Sequence, residues 1–302
     1  MNRRDFVRTV TAASLAGPLP GQEAKRFQKG ICHVIFPRST PLRQSMQKAK
    51  EAGFDGIELS LYEEGEITPQ STVGDMKRLA EQAAAIGIAV TDIMMRVLGG
   101  APLTSPDPAV RQKGVGLLKK ALELAPALGS GALLVVPGRL GSGPRFEVGY
   151  EEAWKRASEC LHQVAPLAAE QKVYLNIENV WNKFLLSPLE MRSFVDQFRN
   201  PYVAVHFDVG NVMQFGYPQD WIQTLGPRIK RVHVKDYKLS QKAEQGRFVP
   251  LLEGDVDWKE VMAALQAVNY RGFLIPEIGA REDDPQHLRR VSEALDRIIA
   301  MG

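Results

Sequence analysis

The chain has 302 residues, 44% hydrophobic and 24% charged, the composition of an ordinary soluble globular protein with material for a large core. Lys and Arg number 38 against 35 Asp and Glu, a net charge of only +3 with no concentrated basic stripe, so nucleic acid is not an expected partner. Two cysteines, Cys32 and Cys160, make no disulfide framework and are read as reduced packing residues, and no run reaches the roughly 18–20 apolar residues that span a bilayer.

The first residues stand apart. Asn2-Arg3-Arg4-Asp5-Phe6-Val7 precedes a weakly apolar, small-residue run from Thr9 to Gly17 and the loop-like Gly17-Pro18-Leu19-Pro20-Gly21. Paired arginines before a modest hydrophobic stretch resemble a twin-arginine export signal, which predicts a periplasmic or exported protein. The bland alternative is a disordered basic start on a cytoplasmic chain. Residues 1–26 are therefore set aside from the fold argument, leaving 27–302 as one domain.

From residue 28 onward, apolar and β-branched runs alternate with longer amphipathic stretches, the pattern of βα units on a parallel sheet. A strand over Gly30–Phe36 leads to a helix over Leu42–Ala52 that stops at Gly53. Gly56–Ser60 is followed by a helix over Asp75–Ile86 ending at Gly87, and Ala89–Met94 by one over Ala109–Leu128 ending at Gly129. Each glycine stands where a helix end favours a left-handed residue. Ala132–Pro137 runs into the Gly/Pro-rich loop Gly138–Pro144 and a helix over Tyr150–Gln171. Val173–Asn179 precedes a helix with Ser187 as N-cap, Pro188 in the first turn and Glu190 behind it. Val203–Val209 is followed by a short helix near Trp221–Leu225, and Arg231–Asp236 by Trp258–Val268, capped by Asp257. Phe273–Ile278 and a helix over Pro285–Met301 close the chain. Eight such units without an internal linker predict a (β/α)₈ TIM barrel. The other reading, an open doubly wound sheet, calls for a glycine-rich phosphate turn after its first strand, and Pro37-Arg38-Ser39-Thr40 contains no glycine.

TIM barrels carry their chemistry at the C-terminal ends of the strands. Strands five to eight end on Glu178, Asp208, His233 and Glu277. A lone acid at a strand end is most often a cap or surface residue, and a lone histidine most often a satisfied core residue. Four in succession are hard to obtain by packing, and three clustered carboxylates require a positive charge among them. Two Glu, one Asp and one His form a mixed oxygen and nitrogen donor set that suits Mn²⁺ or Mg²⁺, with Co²⁺, Ni²⁺ or Zn²⁺ admitted by affinity. The absence of a thiolate argues against a structural zinc site.

Ile177-Glu178-Asn179, His206-Phe207-Asp208-Val209-Gly210-Asn211, Val232-His233-Val234-Lys235-Asp236, Glu253-Gly254-Asp255-Val256-Asp257 and Pro276-Glu277 resemble the xylose isomerase-like TIM-barrel superfamily over roughly residues 28–298. Its sugar-phosphate isomerases and epimerases are nearest, with ketose 3-epimerases, hydroxypyruvate isomerase, L-xylulose-5-phosphate 3-epimerase and inosose dehydratase alongside. The resemblance implies a small sugar substrate and one divalent metal ion on Glu178, Asp208, His233 and Glu277. Glu178 and Glu277 would double as the acid/base pair, passing a proton α to a ketone through a cis-enediolate that the metal holds. It also admits a homodimer, and a dehydratase, lyase or non-catalytic sugar-binding barrel as other outcomes. Lys235, Asn211, His206, Glu58 and Lys183 are the candidate substrate contacts. His206 could instead orient a ligand or fill the barrel, Lys235 could offset the acids, Glu58 could belong to a solvated loop, and Lys183 could cap its loop. Two departures stand out: Asn211 and Leu239 lie where free-ketose 3-epimerases carry a sugar-binding histidine and arginine. Asp-x-Gly-Asn and His-Val-Lys-Asp sit nearer the sugar-phosphate and hydroxypyruvate branch. An exported chain would instead suit a keto-sugar without phosphate.

Overall fold

The computed structural model describes residues 26–142, 144–240, 246–281 and 284–302. The twin-arginine reading rests on residues 1–25, which lie outside the described residues. Eight parallel strands form the sheet: β1 Phe27–Lys29, β2 Gly56–Ser60, β3 Ala89–Met94, β4 Ala132–Val135, β5 Tyr174–Glu178, β6 Val203–Asp208, β7 Ile229–Val234 and β8 Gly272–Pro276. Each pairs with its neighbour in chain order, and β8 returns to β1. The ring closes between β1 and β2 through a bridge from Cys32 to Glu58 and bonds from Ile31 N to Gly56 O (3.1 Å) and Glu58 N to Ile31 O (2.9 Å). This is a TIM barrel. Among the described residues no helix is long and apolar enough to cross a membrane.

The helices follow their sequence signals closely. Gly87 and Gly129 end the helices Val73–Ile86 and Pro108–Leu128 with φ of 77° each, a conformation costly for residues with a Cβ. Ser187 and Glu190 form a capping box at Pro188–Asp196, and Asp257 accepts from Glu260 N at 3.1 Å. The expected helix over Tyr150–Gln171 is interrupted, running Tyr150–His162 and then Ala165–Gln171. Pro166 is the cause, because it lacks an N–H and its ring collides with the carbonyl four residues back.

The first strand also differs from expectation. It begins at Phe27, three residues early, and after Cys32 the chain turns into a short 3₁₀ segment at His33–Ile35. Ile31, Cys32, Ile35 and Phe36 are all buried, so the apolar run reports burial at the barrel mouth without marking where the strand stops. His33 is only 7% exposed, its Nε2 has no hydrogen-bond partner, and burial pulls its pKa from 6.5 down to about 4. The unfolded chain takes up this proton near 6.5 and the folded chain near 4, so stability falls as pH drops through that interval. The loss amounts to at most roughly 3 kcal/mol. Urea unfolding at pH 7, 5.5 and 4.5 is expected to show a shallower acid limb in His33→Leu than in the native chain. Parallel limbs would contradict a neutral His33.

Candidate metal centre

Strand alternation decides which side chains enter the barrel. Asn176 and Glu178 of β5, His206 and Asp208 of β6, and Arg231 and His233 of β7 share the inward parity, and the parallel register sets Glu178 beside His206 and Asp208 beside His233. Glu277 follows β8, and Lys235 follows β7 by one residue. Gly210 lets the turn after β6 close on this corner. A Cβ there would lie 2.6 Å from Lys235 Cβ and 2.9 Å from its carbonyl oxygen.

The four residues expected to form a metal site converge. Around His233 Nδ1 stand Glu178 Oε1 at 3.1 Å, Glu277 Oε2 at 3.4 Å and Asp208 Oδ2 at 3.7 Å. One donor atom from each of the four lies within 4.8 Å of all the others. Lys235 reaches Asp208 Oδ2 at 2.8 Å and also pairs with Glu277. Burial would raise the Asp208 carboxyl, but Lys235 and His233 outweigh it and hold it at about 2. Burial likewise pushes Glu277 up, and the same two cations keep it below its ordinary value. For His233, burial favours the neutral ring, yet the facing carboxylates, Glu58 foremost, hold its proton well above the usual range.

This donor set fits a divalent cation. Glu178 and Asp208, both buried, and the partly buried Glu277 face Nδ1 of His233, and the cations within reach, Lys235 and the protonated ring, fall short of the negative charge; a divalent cation that displaced the Nδ1 proton would supply the difference. The other ring nitrogen fixes the tautomer. Nε2 points at Glu58 Oε1 (3.1 Å) and Oε2 (3.2 Å), so it donates there and leaves Nδ1 to face the carboxylates. Cys32 lies with Glu58 and His233 in a second group. Burial and the Glu58 charge push its thiol pKa well up, which makes it a poor ligand.

The remaining candidates are distributed as follows. Glu58 is fully buried under His233, facing the ring rather than the mouth. His206 is also fully buried, its ring 4.0 Å from that of His233 and its Nδ1 3.4 Å from Asp92 Oδ2. Asn211 lines the cavity above the carboxylates, with Nδ2 donating to Asn179 O at 2.9 Å. Asn179 in turn brackets Asp208, accepting from its N at 2.8 Å and donating to its O at 2.9 Å. Lys183 is exposed, with φ of 63°, and lies outside the cavity lining, whereas Asn182 beside it is part of that lining. Lys235 stands inside the cluster.

Several residues here were not singled out from sequence. Asp92 sits in the middle of β3 beneath His206, with Thr91 Oγ1 donating to it at 2.6 Å and Arg231 Nε 3.9 Å away. Trp181 and Phe248 stack at 5.1 Å over the cavity, which has a volume of about 400 Å³ and is lined by apolar residues such as Met94, Leu98, Pro102 and Val136 together with the cationic Arg96 and Arg139. Trp181 was within reach of the sequence, since an aromatic three residues beyond a ligand-bearing strand end falls at the mouth. Asp236, inside a recognised motif, accepts from Leu252 N and Tyr237 N (2.8 Å each) and from Trp258 Nε1 (3.1 Å), so it ties down the loop after β7.

Comparison with known proteins agrees with this geometry. The family described as xylose isomerase-like TIM barrel matches residues 46–298. An L-ribulose-5-phosphate 3-epimerase, UlaE of Escherichia coli O1:K1 / APEC, is 26% identical over 283 residues, covering 92% of this chain and 95% of its own. Among solved structures, D-psicose 3-epimerase from Clostridium cellulolyticum H10 has a TM-score of 0.76 at 18% identity, covering 91% of this chain and 99% of its own. The 3-keto-D-glucoside 4-epimerase YcjR from E. coli has a TM-score of 0.72 at 17% identity, with 91% and 99% coverage. The matched span takes in seven of the eight strands and the whole carboxylate cluster, and on that ground the chain belongs to the xylose isomerase-like TIM-barrel family.

Proposed function

We propose that this protein is a divalent-metal-dependent sugar isomerase or epimerase that moves a proton α to a carbonyl, with Glu178 and Glu277 as the acid/base pair. The observation that carries the reading is the placement of these two carboxylates. Both line one cavity and come from β5 and the end of β8, with β6 and β7 between them, so they approach the space over His233 from different sides. One carboxylate can take a proton from one face of a substrate carbon while the other returns a proton to the opposite face or to the next carbon. The relatives named as sugar 3- and 4-epimerases support the same chemistry.

Glu178, Asp208, Glu277 and Nδ1 of His233 would hold the metal, Mn²⁺ or Mg²⁺ by donor type. When bound it supplies Lewis-acid polarisation of the carbonyl, worth several kcal/mol against the developing negative charge. Glu277 is kept ionised by His233 and Lys235 and is ready to accept a proton at neutral pH. Lys235, at the junction of cluster and cavity, donates to a substrate oxygen. Trp181 with Met94, Leu98, Pro102 and Val136 excludes bulk water from the reacting carbon, and Asn182 and Asn211 offer hydrogen bonds to hydroxyls.

Proton exchange in D₂O, followed by NMR across ketoses, ketose phosphates, hydroxypyruvate and 3-keto-glucosides with and without Mn²⁺, tests the reading. Metal-dependent exchange of an α-proton is the expected result. One bound metal with no exchange from any of them would count against the isomerase and favour a dehydratase or lyase. Glu58 gives a second expectation. Glu58→Gln keeps the shape and removes the charge that orients His233, and Mn²⁺ affinity by titration calorimetry is expected to fall about 10–100-fold. Unchanged affinity would show that Nε2 is not held in this way.

A further inference from the structure

We propose that the substrate is a two-part molecule, a glycoside whose sugar ring carries a ketone and is handled at the carboxylate cluster while an apolar, aromatic-sized aglycone occupies a second chamber of the same mouth. This rests on the isomerase reading above and specifies its substrate class.

Two cavities meet at the cluster. The first, of about 400 Å³, holds Glu178 and Trp181, and the second has a volume of about 930 Å³. Lys235, Phe248 and Glu277 line both, so an occupant of one touches residues of the other. A sugar ring of about a dozen heavy atoms is matched by the smaller space, whereas several hundred Å³ is the size that encloses a drug-sized group. A monosaccharide seated against Glu178 and Glu277 leaves the larger chamber to whatever is attached to it.

The lining gives the chemistry of that attachment. Val34, Val249, Leu251, Ile278, Val291 and Ala294 form apolar walls. Arg281, Arg290 and Arg297 lie at the rim, together with Glu253 and Glu293, and Arg290 is paired with Asp284. A phosphate would find acids among those cations, while an aromatic ring would find the walls. Phe248 stands at the partition, 44% exposed, braced by Trp181 at 25° between ring planes and with Lys235 Nζ 5.6 Å from its ring centroid. A flat aromatic surface at the junction suits the C–H face of a sugar on one side and an aglycone on the other.

Binding separates this proposal from the catalytic reading, because it needs no turnover. Full-length protein incubated with Mn²⁺ is titrated calorimetrically with the 3-keto forms of 4-nitrophenyl β-D-glucopyranoside, methyl β-D-glucopyranoside and glucose. The aryl glycoside is expected to bind at least tenfold more tightly than the methyl glycoside. Ala294→Trp, which narrows the chamber, and Val249→Glu, which charges its wall, should each erase that difference and leave methyl glycoside affinity unchanged. Equal affinities, no binding by any of the three, or an aryl preference that survives both variants would overturn the two-chamber assignment. The D₂O exchange panel decides the isomerase reading separately, whichever way the affinities fall.

Discussion

Glu277→Gln and Glu178→Gln are each expected to lower substrate interconversion about 10²–10⁴-fold, or about 3–5 kcal/mol of transition-state stabilisation. Glutamine preserves shape and still offers an oxygen to a cation, but it cannot take a proton from carbon. Neither change strands a buried cation. Lys235 keeps Asp208 when Glu277 is altered, and Asp208 and Glu277 still face His233 when Glu178 is altered. The sharper signature is asymmetry. If the two carboxylates serve opposite faces, each variant loses interconversion yet still exchanges the proton of the one epimer whose C–H faces the surviving carboxylate. Deuterium wash-in from each epimer separately, by NMR, reads this directly. Both variants interconverting within tenfold of the native rate would remove the two-carboxylate mechanism. Loss of all exchange in one variant only would point to a single-base isomerase.

The convergence of Glu178, Asp208, His233 and Glu277 was readable from sequence because a barrel projects strand ends to one place, so four polar endings on successive strands had to meet. What occupies the space between them was not. Lys235 reads as a substrate contact or as an offset to the acids, and its seat between Asp208 and Glu277 follows from the close turn at Gly210, a three-dimensional fact. Glu58 was expected to face substrate from the end of a strand. The β1–β2 register pairs it with Cys32, two residues short of where β2 ends, which places it below His233 instead of above. Asp92 was invisible for a related reason, since a mid-strand acid has no periodic signal and its meaning comes from His206 and Arg231 on distant strands. Phe248 reaches the mouth on a ribbon pairing Asp236–Lys238 with Arg247–Val249, and its contact with Trp181 spans too much chain for any local pattern to reveal. Register and long-range closure were the missing information. Residue type and strand polarity were not.

Asp208→Asn is expected to destabilise the metal-free protein by about 2–3 kcal/mol at pH 7 and to abolish its response to Mn²⁺. Asp208 is fully buried, and its two oxygens have separate duties: Oδ1 accepts from Asn211 N at 2.8 Å and caps the turn, while Oδ2 pairs with Lys235. Asparagine can keep the first bond but leaves Lys235 with Glu277 alone. Breaking a buried pair costs about 3–5 kcal/mol, and the remaining partner places this case at the low end. The pH dependence gives an independent figure. Although burial raises it, the carboxyl is held at about 2 against an ordinary 3.8, and that interval is worth roughly 2.5 kcal/mol. Because the folded value is the lower one, this stability is complete above pH 4 and disappears as pH falls toward 2. The deficit of the variant should therefore be constant from pH 7 to 5 and close between 4 and 2. Metal adds a second difference. A ligand at one hundred times its dissociation constant raises native stability by about 2.7 kcal/mol, a gain that a variant lacking one of four donors forgoes. Urea unfolding at pH 7, 5 and 3, with and without Mn²⁺, measures both quantities together. A variant as stable as the native chain at pH 7 without metal would show that Lys235 does not depend on Asp208. An undiminished Mn²⁺ effect would take Asp208 out of the ligand set and leave Glu178, His233 and Glu277 to hold the ion.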